Sequence, residues 1–200
     1  TPGTKYVTLG GAIAMTFAVA HPELVCSLVL VDSAGFGKEV TMVLRLLAIK
    51  AVGVVLMRPS RTNSARMVDG IFYNKEFVTE VRIDHNLALS HRPPHRATLL
   101  DLANELGTFR GVRAPWRADL LAKLGKLAVP ILIVWGDHDH VLPFTHFDSA
   151  ARAFPEAQTH VFHAAGHMPQ IEQADEFAAV VRDFLAQGLA PDALAEHASR

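Results

Sequence analysis

Two long apolar runs constrain the fold of this chain more than any other feature. The first is LVCSLVLVDSAG (24–35), which closes on Asp32, and the second is VPILIVWGDHD (129–139), which closes on a glycine and two aspartates. Continuous Val, Ile and Leu bounded by turn residues are typical of strands buried on both faces of a parallel sheet. We therefore predict two such strands, followed by a third, more polar one within THVFHAAGH (159–167).

Helix-compatible segments alternate with these runs. They cover about 9–21, which ends before Pro22, then 144–154, and then 177–185, where apolar residues recur at helical spacing and Gly188 follows as a candidate C-cap. Strands that alternate with helices predict a parallel sheet with right-handed crossovers. The predicted fold class is therefore α/β.

The alternation is broken in the middle of the chain. Region 36–127 carries amphipathic, helix-prone runs and no convincing buried strand, so we predict a mostly helical insertion. Its longest apolar stretch, at 41–57, is interrupted by Arg45 and Lys50 and falls short of the ~20 residues that a membrane span requires. We predict a pair of amphipathic helices there and no membrane span.

The chain is predicted to form one domain with an insertion rather than two domains. Insertions at the carboxyl ends of sheet strands commonly cover ligand sites. The predicted units are a first core segment, the insertion, a second core segment and a loosely held tail, at 1–35, 36–127, 128–188 and 189–200.

Charge and cysteine content bear on the partners and the compartment. Lys and Arg number 19 and Asp and Glu 20, and their scattered distribution gives no electrostatic footprint for nucleic acid or an anionic membrane. The single cysteine, Cys26, excludes an internal disulfide and lies in the first apolar run, so we predict a buried strand residue. A reducing compartment, and hence a cytoplasmic location, suits this composition. No cofactor is predicted.

Polar residues follow each predicted strand, where parallel sheets bind ligands. Asp32 follows the first strand, Asp137 and Asp139 the second, and His167 the third. A carboxylate and a histidine on neighbouring strand ends form the back half of an acid, base and nucleophile relay, in which the carboxylate orients the imidazole. Asp137 is predicted to be a turn residue, and Asp32 stays open as an alternative acid.

A metal site is the alternative reading of the histidines. Four of them lie near the last two strands, at His138, His140, His160 and His163. They show no helical ligand spacing, and one cysteine offers little further support for a zinc site. We predict no metal.

Three segments together resemble the α/β-hydrolase family, whose residues follow the chain order nucleophile, acid, histidine. They are LGGAIAMTFAVAHPELVCSLVLVDSAG, PILIVWGDHDHVLP and AAGHMPQIEQADEFAAVVRDFL. The resemblance runs from about residue 9 to 187, and the helical insertion falls where the family carries its cap. It implies an incomplete parallel α/β-hydrolase sheet, made of the C-terminal strands only, with a helical cap.

The resemblance also implies roles for individual residues. The acid of the family falls on Asp139 and its histidine on His167. The nucleophile elbow G-x-S-x-G falls on residues 6–10, so Thr8 takes the nucleophile position and the backbone N–H of Leu9 one oxyanion position. Only the final glycine of the elbow pattern agrees.

These departures predict an impaired hydrolase. A β-branched residue at the strained elbow costs of order 1–3 kcal/mol. The strands and the oxyanion loop that the family carries before its elbow are not in this sequence. We therefore expect a truncated product or fragment with little activity of its own, in which TPGTKYV does not descend from the elbow strand. The apolar strand within LVCSLVLV would lie near an edge of the sheet, and an exposed apolar edge favours association, so we also predict self-association.

The resemblance implies hydrolysis of carboxylic esters or of carbon–carbon bonds. The many Leu, Val, Ile, Met and Phe of the insertion favour a small hydrophobic substrate. A catalytically inactive homologue that binds a ligand or a partner stays open as the alternative, because Tyr6 and Thr8 depart from the elbow pattern.

Overall fold

A computed structural model describes residues 4–188 of the chain. The tail predicted at 189–200 lies outside the described residues. Four parallel strands form the main sheet in the order β1-β2-β5-β6. Their bounds are β1 Thr4–Thr8, β2 Leu28–Ser33, β5 Ile131–Gly136 and β6 Gln158–Phe162.

Helices connect and cover these strands. α1 (Leu9–Ala20) joins β1 to β2, α8 (Thr145–Ala153) joins β5 to β6, and α9 (Pro169–Glu172) and α10 (Ala174–Gly188) follow β6. The predicted parallel α/β sheet and its three helical segments are thereby confirmed. The helix that was expected to end before Gly188 instead includes it.

Both central strands are buried along their whole length, which explains their continuous apolar sequence. Alternate side chains of β2 point to opposite faces of the sheet. Leu28 and Leu30 pack in one apolar core together with α1 and α8, whereas Val29 and Val31 pack in a second core together with α10. The sheet therefore has helices on both faces.

Six helices lie between β2 and β5. Their bounds are α2 Met42–Leu47, α3 Lys50–Leu56, α4 Arg61–Ile71, α5 Glu80–Ser90, α6 Pro93–Leu106 and α7 Ala114–Leu124. α2 and α3 are the helix pair that the sequence predicts. A hairpin of two-residue strands, β3 Gly107–Thr108 and β4 Gly111–Val112, also occurs here. Such short strands leave no periodic pattern, so the sequence could not indicate them.

A small core ties this helical region to the loop after β6. Val68, Phe72 and Ile83 are buried together, and Met168 and Ile171 pack against them. The helical region thus contacts the segment that carries His167.

Cys26 departs from the prediction of a buried strand residue. It lies in a bend before β2 and is partly buried. The apolar run begins four residues before the strand, because residues 22–24 form a 3-10 turn ahead of it.

Within residues 4–188, no helix is both long enough and apolar enough to traverse a lipid bilayer.

Candidate active site

Asp139 and His167 form a buried hydrogen-bonded pair. Asp139 Oδ2 lies 2.7 Å from His167 Nδ1, and the two residues are 6% and 4% exposed. They approach each other because β5 and β6 are parallel neighbours, so the turns that follow the two strands lie side by side at the carboxyl ends of the sheet. The structure therefore brings together the two residues that the sequence singles out as acid and histidine.

The turn after β5 holds the Asp139 carboxylate in place. Its Oδ1 accepts hydrogen bonds from the backbone N–H groups of Val141, at 2.7 Å, and Leu142, at 3.0 Å. The other oxygen is then left to face the imidazole. Asp139 Oδ2 is thereby positioned to accept a hydrogen bond from His167 Nδ1.

The loop of His167 is held from two sides. On the sheet side, the N–H of His138 donates to the carbonyl of Ala165 at 3.0 Å. On the other side, the N–H of His167 donates to the carbonyl of Ile71, at the end of α4, at 2.9 Å. The backbone around the histidine is therefore fixed by both the sheet and the helical region.

Asp32 is a second buried carboxyl group beside the pair. It is fully buried at the end of β2, and its Oδ1 accepts a hydrogen bond from the N–H of Gly136 at 3.0 Å. One oxygen of each aspartate and one ring nitrogen of His167 all lie within 4.8 Å of one another. Asp139 is the partner of His167 Nδ1 in the 2.7 Å hydrogen bond.

The environment of Asp32 favours its protonated form. Burial raises the pKa of Asp32 well above its ordinary value of 3.8, and the nearby charge of Asp139 raises it further. A hydrogen bond from Gly136 opposes this rise. As a neutral acid, Asp32 can place a carboxyl group next to Asp139 without a second negative charge.

Thr8 and Leu9 lie at a strand-to-helix junction. β1 ends at Thr8 and α1 begins at Leu9. The backbone of Thr8 is in register with Ser33 of β2, after an irregularity in the pairing at Val7. The predicted nucleophile and oxyanion positions thus lie at the same end of the sheet as Asp32, whereas the side chains of Thr8 and Leu9 fall outside what the structure describes.

Asp137 bridges two exposed histidines, neither of which is His167. His138 Nδ1 lies 2.6 Å from its Oδ1, and His163 Nδ1 lies 3.0 Å from its Oδ2. Partial burial raises the pKa of the Asp137 carboxyl, but the hydrogen bonds from these histidines outweigh it, so the pKa is lowered. Asp137 therefore binds His138 in its own turn and His163 in the turn that follows β6.

The other histidines considered as metal ligands lie apart. His160 binds Glu176 at 2.9 Å, and His140 is exposed. Among the described residues, only Asp32, Asp139 and His167 have the mutual spacing of metal ligands. Two of these three residues, Asp139 and His167, are joined by a hydrogen bond, an arrangement that suits proton transfer.

Two surface clefts lie away from this pair. One is at the turn between α5 and α6. The other is at the amino end of β5, whereas Asp139 and His167 follow the carboxyl ends of the strands. Neither is lined by Asp139 or His167. A substrate pocket beneath the helical insertion therefore stays a prediction.

Comparison with known sequences decides the family. A sequence profile described as "Alpha/beta hydrolase family" matches residues 8–180. The chain belongs to the α/β-hydrolase family. Among curated relatives, this α/β hydrolase is 30% identical over 181 residues to a 2-hydroxy-6-oxononadienedioate/2-hydroxy-6-oxononatrienedioate hydrolase from a Pseudomonas species. The alignment covers 90% of this chain and 61% of that relative, so the chain spans about three fifths of its length.

Solved structures support the same fold. A meta-cleavage product hydrolase from Pseudomonas fluorescens superposes with a TM-score of 0.70 at 24% identity, covering 94% of this α/β hydrolase and 65% of the other chain. A thermophilic esterase superposes with a TM-score of 0.66 at 21% identity, covering 94% and 67%. The solved structures that share this fold thus include hydrolases named for both kinds of reaction that the sequence resemblance implies.

Sequence reasoning assigned no role to Glu172, although this residue contacts the histidine loop. Its carboxylate accepts a hydrogen bond from the N–H of Gly166 at 2.7 Å, directly before His167. The available signal was its place five residues after the histidine, at the end of the short helix α9 that Pro169 opens.

Proposed function

We propose that this chain carries the acid and the base of a hydrolase that cleaves carboxylic esters or carbon–carbon bonds of small hydrophobic substrates. The observation that carries the proposal is the buried 2.7 Å hydrogen bond between Asp139 and His167. Its support is the family membership and the relatives named as hydrolases. The choice between the two bond types is left to experiment, because relatives of both kinds are similar to the chain.

In the proposed mechanism, Asp139 fixes the tautomer of His167. With the Nδ1 proton donated to Asp139, the ring nitrogen that can accept a proton is Nε2. The imidazole then takes the proton of the attacking hydroxyl, and Asp139 stabilises the imidazolium that forms. In ester cleavage, His167 returns this proton to the leaving alcohol, and water then releases the acyl group by the same sequence of transfers.

The nucleophile position lies at Thr8, and the backbone N–H of Leu9 is proposed to bind the oxyanion. A threonine hydroxyl can attack a carbonyl, but its methyl group adds strain and hindrance at a tight turn. We therefore propose that Thr8 limits the activity of this chain.

Turnover of p-nitrophenyl esters and of 2-hydroxy-6-oxononadienedioate by the 200-residue chain tests the proposal. We expect slow hydrolysis of one of these substrates, faster hydrolysis by Thr8→Ser because the serine hydroxyl is less hindered, and loss of turnover for His167→Ala. The matched control is His163→Ala, because His163 is an exposed histidine on the same segment. Equal turnover in His167→Ala and the unchanged chain would refute the assignment.

An inactive homologue is the second candidate, and the threonine at position 8 favours it. Such a protein would keep the fold and bind a small molecule or a partner without turning it over. The two proposals separate on one result: turnover by the unchanged chain that His167→Ala abolishes would refute an inactive homologue.

We further propose that the chain acts in the cytoplasm and self-associates. The cytoplasmic location is supported by its single cysteine. Self-association is supported by β1, which is an edge strand of the described sheet.

A further inference from the structure

Glu172 joins two segments that are nearly one hundred residues apart in the chain. Its Oε2 accepts hydrogen bonds from the backbone N–H groups of Tyr73, at 2.9 Å, and Asn74, at 2.7 Å, just after α4. Its Oε1 accepts a hydrogen bond from the N–H of Gly166 at 2.7 Å. One carboxylate thus satisfies three backbone donors, two in the helical region and one in the histidine loop.

The backbones of these two segments approach closely at the same place. The N–H of His167 donates to the carbonyl of Ile71 at 2.9 Å. A Cβ atom on Gly166 would lie 2.7 Å from the nitrogen of Tyr73 and 2.8 Å from the oxygen of Ile71. Because a real Cβ does not come so near to backbone atoms, position 166 requires glycine for this contact.

Apolar side chains pack beside the hydrogen bonds of Glu172. Phe72, which lies between Ile71 and Tyr73, is fully buried, and Met168 and Ile171 of the histidine loop pack against its cluster. Hydrogen bonds to a charged acceptor are stronger than those between neutral groups. Together these contacts hold the segment 71–74 against residues 166–172.

We propose that Glu172 is a positioning residue. Its three hydrogen bonds, which we call the latch, hold the helical region against the loop of His167 and so orient the imidazole for its hydrogen bond with Asp139. Its meaning for catalysis rests on the proposed function, whereas the latch itself is a property of the folded chain. A carboxylate that merely capped its own short helix would not bind Tyr73 and Asn74.

The first test follows the imidazole proton of His167 by NMR. In the unchanged chain, the Nδ1 proton shared with Asp139 should give a downfield signal, identified by its loss in His167→Ala. We expect Glu172→Gln to shift or broaden this signal, because an amide offers one acceptor oxygen in place of two. Glu176→Gln is the matched control, because Glu176 lies on the adjacent helix α10 and its carboxylate binds the side chain of His160.

The second test separates contact geometry from charge. Gly166→Ala leaves every charge in place but inserts a methyl group into the contact, so it should reproduce the effect of Glu172→Gln on the imidazole signal. Hydrogen exchange at the amides of Tyr73 and Asn74 should be about tenfold or more faster in both variants. Circular dichroism and the fluorescence of the buried Trp135 report whether each variant is folded.

The outcomes distinguish the latch from the proposed function. A folded Glu172→Gln variant with an unchanged imidazole signal and unchanged exchange would overturn the latch. An effect of Glu172→Gln that Gly166→Ala does not share would assign it to charge and would also overturn the latch. Neither measurement needs turnover, so absence of hydrolysis in every variant would count against the proposed function alone.

Discussion

Asp32 poses an electrostatic problem at the scale of a single residue, since two carboxyl groups are buried side by side. Its backbone is in the left-handed region, with φ of 41°, which Asp and Asn tolerate better than most residues. Asn can also accept the hydrogen bond of Gly136 and donate to Asp139. Asp32→Asn is therefore expected to keep the geometry and remove only the titration.

The pH dependence of Asp32→Asn follows from the raised pKa of Asp32. As the pH rises above about 4, the unfolded chain releases this proton near its ordinary pKa of 3.8 while the folded chain retains it. The unchanged protein therefore loses stability relative to Asp32→Asn steadily as the pH rises, until the folded pKa is passed. Urea unfolding of both proteins between pH 4 and 8 measures this difference.

Asp137→Asn serves as the comparison of opposite sign. The pKa of Asp137 is lowered, so its contribution to stability is present above its ordinary pKa of 3.8 and is lost as the pH falls through its folded pKa. The difference in unfolding free energy between the unchanged protein and Asp137→Asn should therefore shrink only as the pH falls below about 4. Parallel curves for Asp32→Asn and the unchanged protein across pH 4–8 would show that Asp32 is ionised like an exposed aspartate.

The sequence allowed some of these residues to be identified and not others. Asp139 and His167 could be predicted because each follows a strand of a parallel sheet. A carboxylate beside a histidine is also a familiar pair in acid–base catalysis. Glu172 could not be, because its partners are backbone N–H groups of distant residues, which every sequence contains. The burial that shifts Asp32 likewise depends on packing that no local pattern records.

At the scale of elements, the start of α1 presses against the end of β2. A Cβ atom on Gly11 would lie 2.0 Å from Ser33 Oγ and 2.6 Å from Ser33 Cβ. Ser33 is fully buried and cannot move aside without displacing its neighbours. Gly11→Ala is therefore expected to destabilise the fold by about 1–3 kcal/mol, measured by urea unfolding.

The matched control for this substitution is Gly70→Ala within α4. A Cβ at Gly70 meets no atom within 4 Å. The same change should therefore stabilise the protein, by up to about 1 kcal/mol, through helix propensity alone. Equal effects at the two glycines would mean that α1 does not lie against β2 as the structure has it.

Elements could be predicted from the sequence where their environment leaves a pattern. β2 and β5 are buried on both faces, and this makes their sequences continuously apolar. The bend at Cys26 lies within an equally apolar run, so composition could not separate it from β2. Its position is decided by the turn at residues 22–24 and by pairing with β5, which are properties of the folded chain.

For the whole molecule, the edge formed by β1 and the helix that follows it predicts association. β1 pairs with β2 on one side only, within the described sheet. On α1, Ile13 and Phe17 are 52% and 41% exposed and lie four residues apart, so they share one face of the helix. Apolar surface beside an edge strand favours contact with a second copy.

Sizing chromatography and sedimentation velocity measure this association. We expect the unchanged chain to run larger than a monomer, increasingly so at higher concentration. Ile13→Lys with Phe17→Lys should lower the apparent mass, because two charges oppose burial of this face. Val81→Lys is the control, because Val81 is 78% exposed on α5, well apart from α1 in the chain. A sharp monomer peak for the unchanged chain at every concentration would rule out self-association through this edge.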